Sequence, residues 1–275
     1  MSKLSFLLQT ICFLFITTSS YSQKAIIKEI IETNPIRKEQ NVFPLVTILG
    51  NNTATKKINK TLQEDLLYLD STGYKKSIFE IAWDRENENN PGWEYTDFEY
   101  KVYSNTAHHL CLSVSFVGGK HVETQTVNYL FDNSTGENIE LSKILTPDGQ
   151  KWLLNQLVST QKKRIQQLLP ILEDSLKRPP NPLYQYDSLS REDFKEEIQL
   201  YKSCLEDYLK SYFSDGNSVE YLTFYIEEEM LIAEGFACGN RGFDELGEVK
   251  FSRPLKAISQ YLTATGKKLL LALEK

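Results

Sequence analysis

Between Phe98 and Phe131 the chain alternates apolar and polar residues in three successive runs, and that pattern constrains the architecture more than any other feature. Phe98, Tyr100 and Val102 fall on one face of the first run. Leu110, Leu112, Val114 and Phe116 share one face of the second, leaving Cys111, Ser113 and Ser115 on the other, and Val127, Tyr129 and Phe131 continue the pattern in the third. A period of two is the mark of a half-buried strand. Gly118-Gly119 separates the second run from the third, and Asn133-Ser134-Thr135-Gly136 forms a polar turn before a short strand around Ile139 and Leu141. Strands joined by local turns pair antiparallel, because a parallel pair needs a long crossover.

Helices are expected on either side of this block. Residues 25–33 are rich in β-branched side chains and fit a strand or a helix, whereas residues 43–49 fit a strand ending at Gly50. Thr53 is placed to cap a helix reaching about Asp70, with Ile58, Leu62, Leu66 and Leu69 on one face. In the second half Thr146 and Pro147 supply an N-cap and a first helical residue for a stripe through Leu153, Leu157, Ile165, Leu168, Leu169 and Leu172. Pro170 is expected to kink or interrupt it. Arg178-Pro179-Pro180-Asn181-Pro182 is the best internal linker. Ser190 with Asp193 suggests a capped helix running to Tyr212 and closed by Gly216. Strands follow around Leu222–Ile226 and from Met230 to Phe236, and a last helix is expected from about Pro254. The βαβ rhythm of a parallel sheet is missing. The expected fold is α+β, an antiparallel sheet with flanking helices, in two packed subdomains of residues 23–105 and 106–275.

Residues 1–22 read as a secretory leader. Lys3 provides the positive start, Leu4 to Ile16 the apolar stretch, and Ser20 and Ser22 the small residues before a cleavage point. The expected location is therefore periplasmic or extracellular, with no membrane span left after cleavage. Losing Lys3 takes 31 basic side chains to 30 against 37 acidic ones, a mature net charge of −7. An acidic surface disfavours nucleic acid as a partner. The mature cysteines are Cys111, Cys204 and Cys238, an odd number with no C-x-x-C spacing, which leaves one or all of them unpaired.

The candidate chemistry is sparse. His121 follows the Gly118-Gly119 turn and could approach His108 and His109 on the neighbouring strand. Adjacent strand residues point to opposite faces, so His108 and His109 cannot both turn to one metal. His121 reads first as a turn-stabilising side chain. Cys111 shares a strand face with His109, but nothing in its surroundings marks an activated thiol. The polar loop Asp84 to Asn90 lacks calcium-loop spacing, and Glu227-Glu228-Glu229 reads as a charged hairpin turn. No phosphate-binding glycine loop and no G-x-S-x-G elbow is present. Aromatic residues gather around one loop, with Trp83, Trp93, Tyr95, Phe98, Tyr100 and Tyr103 close in sequence. Carbohydrate-binding faces often use exposed aromatic rings. Trp83, Trp93 and Tyr95, with His121, are therefore the expected ligand-binding residues; no catalytic residue, metal ligand or cofactor is assigned.

Three stretches resemble a bacterial extracytoplasmic family. Phe43-Pro44-Leu45-Val46 through Gly50, with Ile58-Asn59 after it, is similar to that family's N-terminal signature. Phe116 to His121 resembles its Gly-Gly-Ala-His turn, and Tyr129-Leu130-Phe131-Asp132, Thr135-Gly136 and residues 139–145 resemble its hairpin leading into a helix. The family is that of the RsiV-like, lysozyme-sensing anti-sigma factor ectodomains, the domain-of-unknown-function families 4163 and 3298, which also accompany polysaccharide deacetylases. The likeness spans roughly residues 40 to 262. Only Met1 to Lys3 precede the apolar run, so the resemblance implies the sensing module without the sigma-factor-binding segment. The expected function is a secreted or periplasmic, non-catalytic binding module for an envelope glycan or a lysozyme-like protein. The alternatives are an envelope hydrolase or metal-dependent deacetylase using His121, and a structural interaction partner.

Overall fold

The computed structural model describes residues 24–35, 38–67, 77–83, 95–118, 123–177, 187–208, 219–235, 238 and 246–272. Strand β1 (Ile26–Thr33) pairs antiparallel with β2 (Gln40–Thr47), which leads into helix α1 (Asn52–Leu67) and a short α2 (Glu80–Trp83). Strands β3 (Tyr95–Asn105), β4 (His109–Gly118) and β5 (Glu123–Asp132) form an antiparallel sheet with β4 in the centre. Then come a single turn α3 (Leu141–Ile144), the long α4 (Pro147–Lys177) and α5 (Asp187–Ser203), which runs into a π-turn at Cys204–Tyr208. A second antiparallel sheet holds β6 (Thr223–Glu227), β7 (Met230–Gly235) and β8 (Val249–Pro254), and α6 (Ala264–Leu270) follows. The fold is α+β. Among the described residues no helix is long and apolar enough to cross a membrane.

The alternating runs become the central sheet, and both of its faces carry a hydrophobic core. One face presents Phe98, Leu110, Leu112, Val114, Phe116, Tyr129 and Phe131 to α1, β2 and α2. Phe43, Phe79 and Phe98 meet edge-on or tilted there, with ring centroids 5.4–6.5 Å apart. The other face sends Cys111 and Leu130 into a second core with α4, α5 and the β6–β8 sheet.

Helix α1 does more than cover the first core. Asn59 accepts from the Val46 amide at 2.9 Å and donates to the Val46 carbonyl at 2.7 Å. One turn earlier, Thr55 accepts from the Ile48 amide at 2.8 Å and donates to its carbonyl at 3.3 Å. Two helix side chains thus satisfy the end of β2 and the residue that follows it, as a strand would. The cap of α1 is Asn51, not Thr53: its Oδ1 accepts from the Ala54 amide at 3.1 Å. Asn51 also donates from Nδ2 to the Ser134 carbonyl at 2.8 Å, so the β5 turn is held on the helix start. Gly136 has φ +71°, and a Cβ there would lie 2.6 Å from the Ala54 carbonyl oxygen. Glycine is required on both counts.

Thr146 caps α4 by accepting from the Gly149 amide at 3.1 Å, with Pro147 at the first helical position. Pro170 does not interrupt α4, which runs unbroken through it. Residues 25–33 are mostly strand. The region around Ile139 makes one isolated bridge, Phe131 to Asn138, and then turns helical at Leu141. Pro254 ends β8 instead of starting a helix; the last helix begins at Ala264, where Thr263 accepts from the Gly266 amide at 2.9 Å. Gly216 and the 178–182 linker lie outside the described residues, as do the side chains of Asp187 to Ser190.

Candidate functional site

The aromatic edge is partly dismantled by a bulge. The β3–β4 register shifts between Thr96 and Glu99, and Asp97 takes a positive φ of 54°. In a regular strand Tyr95 and Phe98 would point to opposite faces; the extra residue turns both to the same side. Tyr95 is 6% exposed and sits edge-on to Phe116 with ring centroids 5.0 Å apart, so its ring belongs to the first core. Trp83 is half-buried and stacked on Phe79 at 5.3 Å. Trp93 and His121 lie outside the described residues, as does the acidic loop from Asp84.

The cysteines separate cleanly. Cys204 and Cys238 form a disulfide, which joins the π-turn after α5 to the segment after β7. Nearby, Arg164 donates to the Glu248 carbonyl at 3.1 Å and to that of Leu246, and Tyr201 accepts from the Leu246 amide at 3.1 Å. Cys111 is unpaired and wholly buried. Its Sγ accepts from the Ile226 amide at 3.2 Å, and burial pushes the thiol up to about 12. It is a packed neutral thiol, not a nucleophile.

A cleft of about 340 Å³ opens where the β3–β4 turn, the β6–β7 turn and α6 meet. Ile226, Leu255, Leu270 and Leu271 form its apolar walls. Ser104, Thr106 and His109 supply the polar groups, and Glu229 and Lys256 stand at the rim, paired at 3.2 Å. A mostly apolar concavity with a few convergent polar groups is the usual form of a small-ligand site.

A second bulge builds the polar part. The register shifts again between Val102 and Ser104, which sets Ser104 opposite Cys111, on the sheet face that also carries His109. Ser104 Oγ then lies 2.9 Å from His109 Nε2. Thr106 accepts from the His108 and His109 amides, each at 3.1 Å, and so shapes the turn that delivers the histidine. On the far side of the ring, His109 Nδ1 lies 3.0 Å from the Leu269 carbonyl oxygen. Thr106 Oγ1 also lies 3.1 Å from Nδ1. A carbonyl only accepts, so the Leu269 oxygen favours the proton on Nδ1, shared with Thr106, and this leaves the Nε2 lone pair to the Ser104 hydroxyl.

The β6–β7 turn beside the cleft is strained. Glu228 and Glu229 have φ of 48° and 59°, the left-handed pair of a type I′ hairpin that Asn-Gly normally fills. The Leu255 amide donates to the Glu229 carbonyl at 2.8 Å and pins the turn against the cleft wall. The sequence places Glu228 and Glu229 correctly in a turn, while Glu227 is the last residue of β6, and the cleft and Ser104 are not legible in it. The one available signal is a serine five residues before a histidine across a hairpin turn.

No protein-family model matches the chain, and no curated protein matches it. Solved structures of DUF3298 family proteins are similar to it. One is a member from Bacteroides fragilis, at 14% identity and a TM-score of 0.47, covering 89% of this chain and 95% of that one. Another is a protein from Pseudomonas aeruginosa, at 9% identity and a TM-score of 0.45, covering 88% of this chain and 95% of that one.

Proposed function

We propose that the mature chain works in an oxidising extracytoplasmic compartment as a binding module for a basic, lysozyme-like protein. The observation that carries this reading is the Cys204–Cys238 disulfide in a chain that opens with a leader-like segment. Disulfides persist in oxidising compartments and are rare in the cytosol. The partner class comes from the resemblance of the Phe43, Phe116 and Tyr129 stretches to lysozyme-sensing ectodomains. The mature charge of −7 supports it, since a charge excess of one sign speeds encounter with the opposite sign. Burial of Tyr95 weakens the case for a glycan, because it removes one ring from the expected aromatic rim.

The test is biolayer interferometry on residues 23–275, at about 50 and 300 mM salt. Lysozyme, a cationic non-lytic protein of similar charge, and peptidoglycan fragments are compared. The expected result is lysozyme binding that weakens with salt, with little response to the cationic control. Equal binding of both proteins, or binding of glycan fragments alone, overturns the reading. Export is checked separately by N-terminal sequencing of the secreted chain, which should begin at Gln23.

A further inference from the structure

We propose that Ser104 and His109 form a nucleophile–base pair that cleaves short acyl esters bound in the cleft between the β3–β4 turn and α6. This activity is independent of the protein partner proposed above. Three elements of an acyl-transfer site converge on this cleft. The Ser104 hydroxyl is 2.9 Å from His109 Nε2, within reach for proton transfer. The Leu269 carbonyl, 3.0 Å from Nδ1, fixes the tautomer and ring orientation that a carboxylate fixes in a serine triad. Ile226, Leu255, Leu270 and Leu271 offer an apolar wall for an acyl chain. Lys256 lines the same cleft, and its ion pair with Glu229 is solvent-exposed and therefore weak, so the ammonium can leave it for a developing oxyanion.

The reaction balances with water as the only co-reactant. Ser104 Oγ attacks the ester carbonyl carbon while its proton passes to His109 Nε2. The tetrahedral intermediate collapses, the C–O bond to the alcohol breaks, and the leaving alkoxide takes the proton from Nε2. Water then attacks the acyl-serine, giving its proton to Nε2; collapse releases the carboxylic acid and returns the proton to Ser104.

The experiment treats residues 23–275 with a short alkyl fluorophosphonate and maps the adduct by mass spectrometry, alongside hydrolysis of p-nitrophenyl butyrate. A single adduct on Ser104 is expected, absent in Ser104→Ala, together with a fall in hydrolysis of about a hundredfold or more in that variant. Ser104→Ala keeps the His109–Leu269 bond, so it tests the chemistry without dismantling the turn. Ser104→Cys should retain reactivity and be alkylated at that position by iodoacetamide. An adduct elsewhere, no adduct, or equal hydrolysis by the Ala variant refutes the proposal.

Discussion

Thiol accounting tests both the oxidising-compartment reading and the two-core architecture. In the native mature chain the disulfide hides Cys204 and Cys238, and burial hides Cys111. A thiol-specific reagent at pH 8 should therefore find almost no reactive sulfur in the native protein. It should find one equivalent after denaturation without reductant, and three after denaturation with it. The Cys204→Ser/Cys238→Ser double variant then measures what the bridge contributes. The bridged residues are 34 apart in sequence. In the chain-entropy model a loop of that length gives about 4 kcal/mol at 25 °C by restricting the unfolded chain. For a chain of this size, where 1 kcal/mol moves the melting temperature by roughly 2–4 °C, that is a fall of roughly 8–16 °C, read by differential scanning calorimetry. The α5 end should also loosen in hydrogen exchange, while the β3–β5 sheet keeps its protection. Three thiols appearing on denaturation alone would refute the bridge. A reactive native thiol would refute the sealed packing of Cys111. An unchanged melting temperature in the double variant would refute the loop argument.

Cys111 also predicts an alkaline limit to stability. Its folded pKa is raised from an ordinary 9.0 to about 12, so above pH 9 the unfolded chain releases its thiol proton first. The stabilisation is complete below about pH 9 and is lost as pH rises toward 12, by roughly 4 kcal/mol at most at 1.36 kcal/mol per pKa unit. Urea titrations of wild type and Cys111→Ala at pH 8 and 10.5 should converge with rising pH; parallel curves would refute this. Replacing the strained turn with Glu228→Asn and Glu229→Gly should stabilise by about 1–2 kcal/mol, because both residues hold left-handed backbone that Asn-Gly adopts readily. A drop in the urea midpoint would show that the glutamate side chains outweigh the strain. Asn59→Ala leaves the Val46 amide and carbonyl without their side-chain partner and should cost roughly 2–3 kcal/mol in the same assay; a change under about 0.5 kcal/mol would show that water substitutes for the amide.

The central sheet is legible in the sequence because burial there follows a period of two. Leu110, Leu112, Val114 and Phe116 all reach the first core, as their spacing predicts. Tyr95 escapes that logic, because the bulge at Asp97 is a backbone event that no alternation of residue types announces. The site escapes it for the same reason. Ser104 and His109 meet only through a second register shift, and the Leu269 carbonyl that orients the ring comes from a helix 160 residues away. The disulfide was open in sequence for a different reason: pairing three cysteines depends on which two approach in space. Thr53 and Asn51 show the narrowest limit, since both suit a cap and only the backbone dihedrals choose between them.

The place of the cleft follows from how the second core meets the sheet. A strand covered on both faces usually reads as a continuous apolar run. Strand β4 does not: its second face carries His109, Cys111, Ser113 and Ser115. Strand β6, the edge of the other sheet, rests on that face, and Cys111 accepts the Ile226 amide that an edge strand would otherwise leave unpaired. Further toward the strand's far end Ser115 is half-exposed and bonds Thr126 at 2.9 Å on an open polar surface. Toward its beginning, cover passes from β6 to α6, and the two elements do not close over the space between them. His109 stands in that gap, buried by α6 on one side and open through Ser104 on the other. The cleft thus opens on the second-core side of the strand that both cores share, since Ile226, Leu255 and Leu270 all belong to that core. Its polar groups keep a fixed geometry because β4 is packed from its other face by the first core.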